Sequence, residues 1–412
     1  MTAYGKTVAV IGGGASGLMA AIAAARSGAR VTVFEAADRV GKKILVTGNG
    51  RCNLTNAVQE PEKFRTVEGG DPFRVIRAFD RDRTLSLFRE MGVWTAEKDG
   101  WIYPRTFQAA SVLNALRYSL EDAGVNVITG TPVESISAGR DGIALKAGGE
   151  RLVFDAAVLA AGGTASRTNE LKSARSGFDL ARMAGHRLTA MFPALGALTS
   201  SQPGCRALNG TRLPAGVTLE AGGKTWQETG EVQFTAYGLS GIPVFQLSRF
   251  AAEALGRGEA PCMYLDLFQD LSAEKLRAVI RGGAVQSPRT GEGFFVGLLP
   301  KMVLLTVLKE AGIRADRPLR TWSEAETDRF IDIIKHFAFP ITGTTGLEKA
   351  QVTAGGVPLA QVDLSSMRSK ILPGLYLAGE VLDVDGTCGG YNLQWAWSSG
   401  VLAGMHAAGD PA

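Results

Sequence analysis

The stretch "KTVAVIGGGASGLMAAIAAARSGARVTVFEA", residues 6–36, reads as strand, glycine turn, helix and second strand. Val8 to Ile11 form a short β-branched apolar run of the kind found in buried parallel strands, Leu18 to Arg26 are small and helix-favouring, and Val31 to Phe34 return to strand. The turn carries G-x-G-x-x-G as Gly12, Gly14 and Gly17. Gly12 permits the tight turn, Gly14 lets a pyrophosphate approach the backbone, and Gly17 lets the helix pack close to the strand. Ala15 and Ser16 fall at the helix N-terminus, where unpaired N–H groups and the helix dipole favour an anion. Glu35 ends the second strand, 18 residues after Gly17, where a carboxylate accepts both ribose hydroxyls and disfavours a 2′-phosphate. These features in register predict a dinucleotide site on an α/β fold with a parallel central sheet.

The fingerprint alone leaves NAD and FAD open, and later strands separate them. "FDAAVLAAGG", residues 154–163, is an apolar strand whose end, Ala161 and Gly162, is expected beside the cofactor. Val133 is assigned to the same cofactor site. "LPGLYLAGEVLDVDG", residues 372–386, is a third strand ending in Gly379 and Glu380, a carboxylate suited to a polyhydroxyl chain such as ribitol. FAD carries ribitol and NAD does not. In "GTCGGYNLQWAWSSG", residues 386–400, Gly390 ends a glycine turn and Tyr391, Asn392 and Leu393 open a helix pattern. Its N–H groups and positive dipole end are expected to face the flavin N1/C2 edge, where negative charge accumulates on reduction. Trp395 and Trp397 read as packed core.

At these residues the sequence resembles the glutathione-reductase-like FAD-binding superfamily. Within it, "TGNGRCNLTN" (47–56), "QVTAGGV" (351–357), "GLYLAGEVLDVDG" (374–386) and "GGYNLQWAWSSG" (389–400) resemble a bacterial flavoprotein family that includes aminoacetone oxidase and bile-acid-modifying flavoproteins. The resemblance implies that Lys42, Lys43, Gly48, Asn49, Gly50, Arg51, Cys52 and Asn53 wrap the cofactor's phosphates and flavin edge. Lysines and an arginine among glycines supply charge and backbone N–H groups to an anion, which agrees. The sequence departs from its relatives at "FTAYGLSGIP" (234–243), where Ala236 stands for a histidine and Ile242 precedes Pro243. It also departs at "GGTASRTNELKSARSG" (162–177), which lacks their Tyr-Pro and Gly-Asp elements.

The 412 residues are enough for a large core, and 45% hydrophobic with 20% charged residues describe an ordinary globular chain. A net charge of +4, with Arg74, Arg77, Arg81, Arg83 and Arg89 interleaved with acids, makes no case for a nucleic-acid partner. Cys52, Cys205, Cys262 and Cys388 include no C-x-x-C pair, so neither a zinc site nor a disulfide framework is expected, and a reducing cytoplasm fits. No metal, membrane segment or signal peptide is expected.

The resulting expectation is an FAD-binding domain in residues 1–192, an inserted antiparallel β domain in 193–270, a helical subdomain in 271–336, and a return through the insert to the FAD-binding domain in 337–412. The insert lacks a second G-x-G-x-x-G, which argues against a dedicated NAD(P) domain but leaves transient NAD(P)H binding open. The expected activity is hydride transfer between a small organic substrate or NAD(P)H and the flavin, with oxygen or another acceptor reoxidising it. The alternative is a flavin-bearing redox sensor or binding protein without significant turnover. No catalytic residue, substrate or oligomeric state is assigned. Tyr103, Tyr237 and Tyr391 are candidate polar handles for a substrate, whereas His186, His336, His406 and Cys388 read as structural.

Overall fold

A computed structural model describes residues 5–140, 142–165 and 174–409. Residues 166–173, the middle of the divergent stretch 162–177, lie outside the described residues. The chain divides into two compact units, residues 1–192 with 352–412, and residues 193–351.

In the first unit, five parallel strands stand in the order Leu375–Leu377, Ala156–Leu159, Thr7–Ile11, Arg30–Phe34 and Asn126–Ile128. Two short antiparallel strands, Val362–Asp363 and Arg368–Ser369, extend one edge. The fingerprint strand is central, and Val8, Ala9 and Val10 are fully buried, as its continuous apolar run requires. The helix Ala15–Arg26 returns from it to Arg30–Phe34. Against that helix lies the C-terminal helix Tyr391–Ala408, brought close by two small residues one turn apart. A Cβ on Gly400 would come within 2.5 Å of the Ser16 carbonyl oxygen, and one on Gly404 within 2.2 Å of that of Ala20. The beginning and end of the chain are thereby packed together over the sheet.

The second unit is a closed barrel. Its strands run Leu198–Ser200, Gly238–Ser240, Lys224–Thr235, Arg212–Ala221, Cys262–Asp266 and Phe337–Thr344, which pairs back onto Leu198–Ser200. Alternate residues such as Leu213, Ala215, Val217 and Leu219 fill its interior. The helices Ala273–Gln286, Lys301–Glu310 and Glu324–Lys335 belong to the same unit and share its apolar core through Leu276, Val303, Leu304, Phe330 and Ile334. Ser272 and Ser323 cap the first and last of these by accepting the Lys275 and Glu326 backbone N–H. The stretches 193–270 and 271–336, expected as a β domain and a helical subdomain of one insert, lie in a single unit with the strand Phe337–Thr344. The physical reason is that the helices have no core apart from the one they share with the barrel.

Candidate functional site

Three parallel strands end side by side, and their ends are glycine turns. Gly12 follows Ile11 with φ +105°, and a Cβ there would lie 2.6 Å from the Ala160 carbonyl oxygen. The Ala160 N–H donates to Ile11 O, and the Ala378 N–H donates to Leu159 O, so the ends at 12, 160 and 378 are stitched in a row. Ligands of open parallel sheets bind at such carboxyl ends.

Two glycines in this row face open space. Among the described residues, nothing lies within 4 Å of a Cβ built on Gly14 or Gly162. Gly14 is also the N-cap of the helix Ala15–Arg26, and no side chain caps that N-terminus. Uncapped N–H groups above a surface left open by glycine form an anion cradle that fits a pyrophosphate. Gly17 has a packing role, since its Cβ would strike the Gly12 carbonyl oxygen at 1.9 Å. Glu35 is held from two directions: Oε2 accepts the Gly13 N–H at 2.7 Å and Oε1 accepts the Ala37 N–H at 2.7 Å. The segment before Val133 lies beside it, with the Thr131 N–H donating to Glu35 O and the Gly130 N–H to Ala37 O. The Val133 side chain itself is buried in the core.

The C-terminal strand end meets the fingerprint directly. At Gly379, φ is +73° and a Cβ would lie 2.3 Å from Ser16 Oγ. Its N–H donates to Ser399 Oγ at 2.9 Å, and its carbonyl accepts the Trp395 indole N–H at 3.1 Å. Glu380 follows, with Oε1 accepting the Thr353 N–H at 2.9 Å and Oε2 paired with Lys43 Nζ at 2.6 Å. Thr353 Oγ1 in turn accepts the Thr164 and Ala165 N–H groups. An oriented carboxylate at this point suits a polyhydroxyl chain.

The two lysines expected at the phosphates are both engaged with carboxylates. Lys42 pairs with Asp38 at 2.6 Å, and its ammonium holds the Asp38 carboxyl below the usual range. Lys43 is at Glu380. Within the loop after them, Gly48, Asn49, Gly50 and Arg51 are exposed, with Gly48 and Asn49 both left-handed. Cys52 is fully buried, also left-handed, and burial pushes its thiol up to about 12, so it is not a reactive thiolate at neutral pH. Asn53 is buried too. With its amide oriented to satisfy its neighbours, its nitrogen donates to Thr55 O and Ile102 O, and its oxygen accepts the Gly390 N–H. Cys52 and Asn53 therefore hold the loop from beneath.

The second glycine turn divides into two functions. A Cβ on Gly390 would come within 2.6 Å of the Thr55 carbonyl, so this residue is glycine because of backbone packing. Gly389, φ +117°, instead borders Asn56, Trp101 and Tyr391. Asn392 clamps Gly386 in both directions, its Oδ1 accepting the Gly386 N–H and its Nδ2 donating to the Gly386 carbonyl, each at 2.8 Å. Tyr391 is buried edge-on against Phe64 at 5.6 Å, and burial raises its hydroxyl to about 12. Leu393 packs against the apolar core. The helix N-terminus after Gly390 has no side-chain cap.

Sequence reasoning read Trp395 and Trp397 as core and did not find their second task. Both are buried, and their indole N–H groups pin Gly379 O and Leu54 O, fixing two loops of the site. Ser399 and Thr353 were missed as well. The available signal was the spacing of Trp395 and Ser399, which shares one helix face. Among the described residues no cluster of His, Cys, Asp and Glu could hold a metal, and no helix is long and apolar enough to cross a membrane.

An open anion cradle and two acids held in place at the strand ends of one parallel sheet suit the class to which the chain's relatives point, an FAD-dependent oxidoreductase of Rossmann type. The chain belongs to the family described as "HI0933-like protein Rossmann domain", which it matches over residues 6–406. It is 40% identical over 408 residues to a 3-dehydro-bile acid delta(4,6)-reductase of Clostridium scindens, covering 98% of this chain and 99% of that one. It is 28% identical to a ribosomal RNA dihydrouridine synthase of Haemophilus influenzae, covering 97% of both chains. With the Escherichia coli protein of the same name it shares 27% identity and 95% of each chain.

Proposed function

We propose that this oxidoreductase transfers a hydride between FAD and a small organic substrate, and that the substrate is a conjugated ring ketone which it reduces. NAD(P)H is the proposed transient hydride source, with oxygen or another acceptor able to reoxidise the cofactor. The observation that carries the cofactor part is the row of strand ends at Gly12, Ala160 and Ala378 with Glu35 and Glu380 at its two sides. When bound, FAD supplies hydride chemistry that amino-acid side chains lack. The chain's own residues bind and orient: Gly14 leaves the anion's space open, Glu35 addresses the ribose, and Glu380 addresses the ribitol. The substrate part is supported by the reductase relative, which matches this chain from end to end.

The two dihydrouridine synthase relatives favour a second reading, the same saturation of a ring double bond performed on RNA. Charge supports the small-molecule reading. The arginines of residues 74–89 are largely spent on carboxylates and carbonyls: Arg77 on Asp71, Arg81 on Asp82, and Arg83 on Ala78 O. We place the protein in a reducing cytoplasm, which its few cysteines, with no C-x-x-C pair, suit.

Denaturation of the purified protein is expected to release FAD and no FMN, because Glu35 and the fingerprint address an adenosine half. Gly14→Val is expected to lose FAD while the apoprotein keeps its melting temperature, since the added atoms occupy ligand space rather than protein. Recovery of FMN alone contradicts the cofactor reading. Anaerobic reduction with NAD(P)H followed by a 3-oxo-4-ene steroid or a uridine-containing oligonucleotide separates the substrate readings, because only the true acceptor restores flavin colour without air; a small amine, being a hydride donor, is tested instead by bleaching of the oxidised flavin.

A further inference from the structure

The peptide unit that joins Gly389 to Gly390 is held at both of its polar ends by side chains from one short segment. Its carbonyl oxygen accepts the Asn56 side-chain amide at 2.9 Å, and its N–H donates to the Asn53 side-chain oxygen at 3.2 Å. Both asparagines are buried, and their other polar atoms are spent on backbone: Asn56 Oδ1 accepts the Val58 N–H at 3.0 Å, and the Asn53 nitrogen donates to Thr55 O and Ile102 O. The segment is itself anchored from the C-terminal helix. Thr55 Oγ1 donates to Gln394 Oε1 at 2.6 Å, and Leu54 O accepts the Trp397 indole N–H at 3.0 Å. Amides are costly to bury unless fully bonded, and these two are bonded to one remote peptide.

What they hold is a joint that would otherwise turn. Gly389 and Gly390 have φ of +117° and +94°, and with no Cβ on either side the peptide between them rotates about its flanking bonds at little steric cost. Half a turn would take the carbonyl oxygen off Asn56 and bring it out on the opposite side. The helix Tyr391–Ala408 begins here without a side-chain cap, so its positive end is open. A carbonyl oxygen swung against that end would offset part of its field. Kept on Asn56, it does not.

We propose that Asn53 and Asn56 are positioning residues that lock the Gly389–Gly390 peptide and thereby raise the midpoint potential of the bound flavin. This rests on the FAD reading and on the second glycine turn facing the flavin N1/C2 edge. Negative charge gathers at that edge on reduction, so a fixed positive field favours the reduced form over the oxidised one. Both asparagines act through a single peptide, which sets them apart from side chains that only fill the core.

The test is an anaerobic redox titration of the purified holoprotein at saturating FAD, with FAD per protein measured beside it. Asn53→Ser and Asn56→Ser are each expected to weaken binding of reduced FAD about tenfold relative to oxidised FAD, read as a midpoint potential about 30 mV lower for this two-electron couple. The double variant is expected to shift by less than the sum of the two, because one loss already frees the peptide. Leu120→Ala, a buried position in the helix Ala109–Asp122 of the same unit, is expected to lower the melting temperature and leave the potential at the parent value. Parental potentials in both serine variants overturn the proposal, as do shifts that simply add in the double variant or an equal shift in Leu120→Ala. A serine variant that takes up no FAD at any concentration also overturns it, since a residue that only orients this turn leaves the other contacts of the cofactor intact. Absence of FAD from the parent overturns the cofactor reading itself, whereas an FAD-bearing parent whose serine variants keep its potential overturns the lock alone.

Discussion

At the scale of single residues, the site is a set of carboxylates held by backbone N–H groups. Glu380 shows why burial and partners matter more than the letter in the sequence: Lys43 and the Thr353 N–H hold both its oxygens in place before any ligand arrives. Glu380→Ala is expected to weaken FAD binding by about 1.5–3 kcal/mol, the range for hydrogen bonds to a charged group, read as the ratio of Kd values by flavin fluorescence titration. His186 gives a pH-dependent case. Its Nδ1 faces Gln361 Oε1 at 3.0 Å and its Nε2 faces Ser369 Oγ at 2.9 Å, and burial lowers its pKa below the ordinary 6.5. A lowered folded pKa means that the neutral form is favoured in the native state, so its contribution is present above pH 6.5 and is lost as pH falls through the folded pKa. The melting temperature is expected to decline between pH 7 and 5 more steeply in the parent than in His186→Gln. Glu35 and Glu380 stand out in the sequence as acids at strand ends, and the structure holds both oxygens of each by neighbouring groups. The destination of Lys43 was not legible, because nothing local places it beside residue 380.

At the scale of elements, the strand–turn–helix of residues 7–26 was legible because its apolar run, glycines and small residues obey local rules. The packing of the helix Tyr391–Ala408 on the helix Ala15–Arg26 was not, since Gly400 and Gly404 read as ordinary helix glycines until the partner is known. Gly404→Val is expected to cost about 1–3 kcal/mol or more as overpacking against Ala20, measured as a lower urea midpoint. Gly282→Ala, in a helix with nothing near its added Cβ, is expected to shift the midpoint slightly upward. The same comparison revises the role of Gly390. Its substitution meets Thr55 backbone, so loss of flavin in such a variant reports packing and not access to the flavin edge.

At the scale of the whole molecule, the cofactor-binding unit is assembled from both ends of the chain, residues 1–192 and 352–412. FAD that binds only the folded form should stabilise it by about 2.7 kcal/mol at a hundred times Kd. The expected observation is a rise in melting temperature with added FAD, together with slower amide exchange in Thr7–Ile11 and Leu375–Leu377. No change in either contradicts binding at these strand ends.

The sequence by itself determined the class of fold and the cofactor, because the fingerprint works through short-range turn geometry and strand ends. The Ser272 and Ser323 caps were legible as well, since they depend on neighbours three residues away, whereas the helix Ile242–Gly256 inside the stretch read as strands was not. Only the tertiary structure decided that the insert is one barrel-centred unit, since the closing strand Phe337–Thr344 pairs with Leu198–Ser200 from far along the chain. It alone decided that Lys43 meets Glu380 and that Trp395 and Ser399 fix Gly379. Each of these depends on distances between segments remote in sequence, and such distances are set by how the hydrophobic faces pack and not by any local pattern.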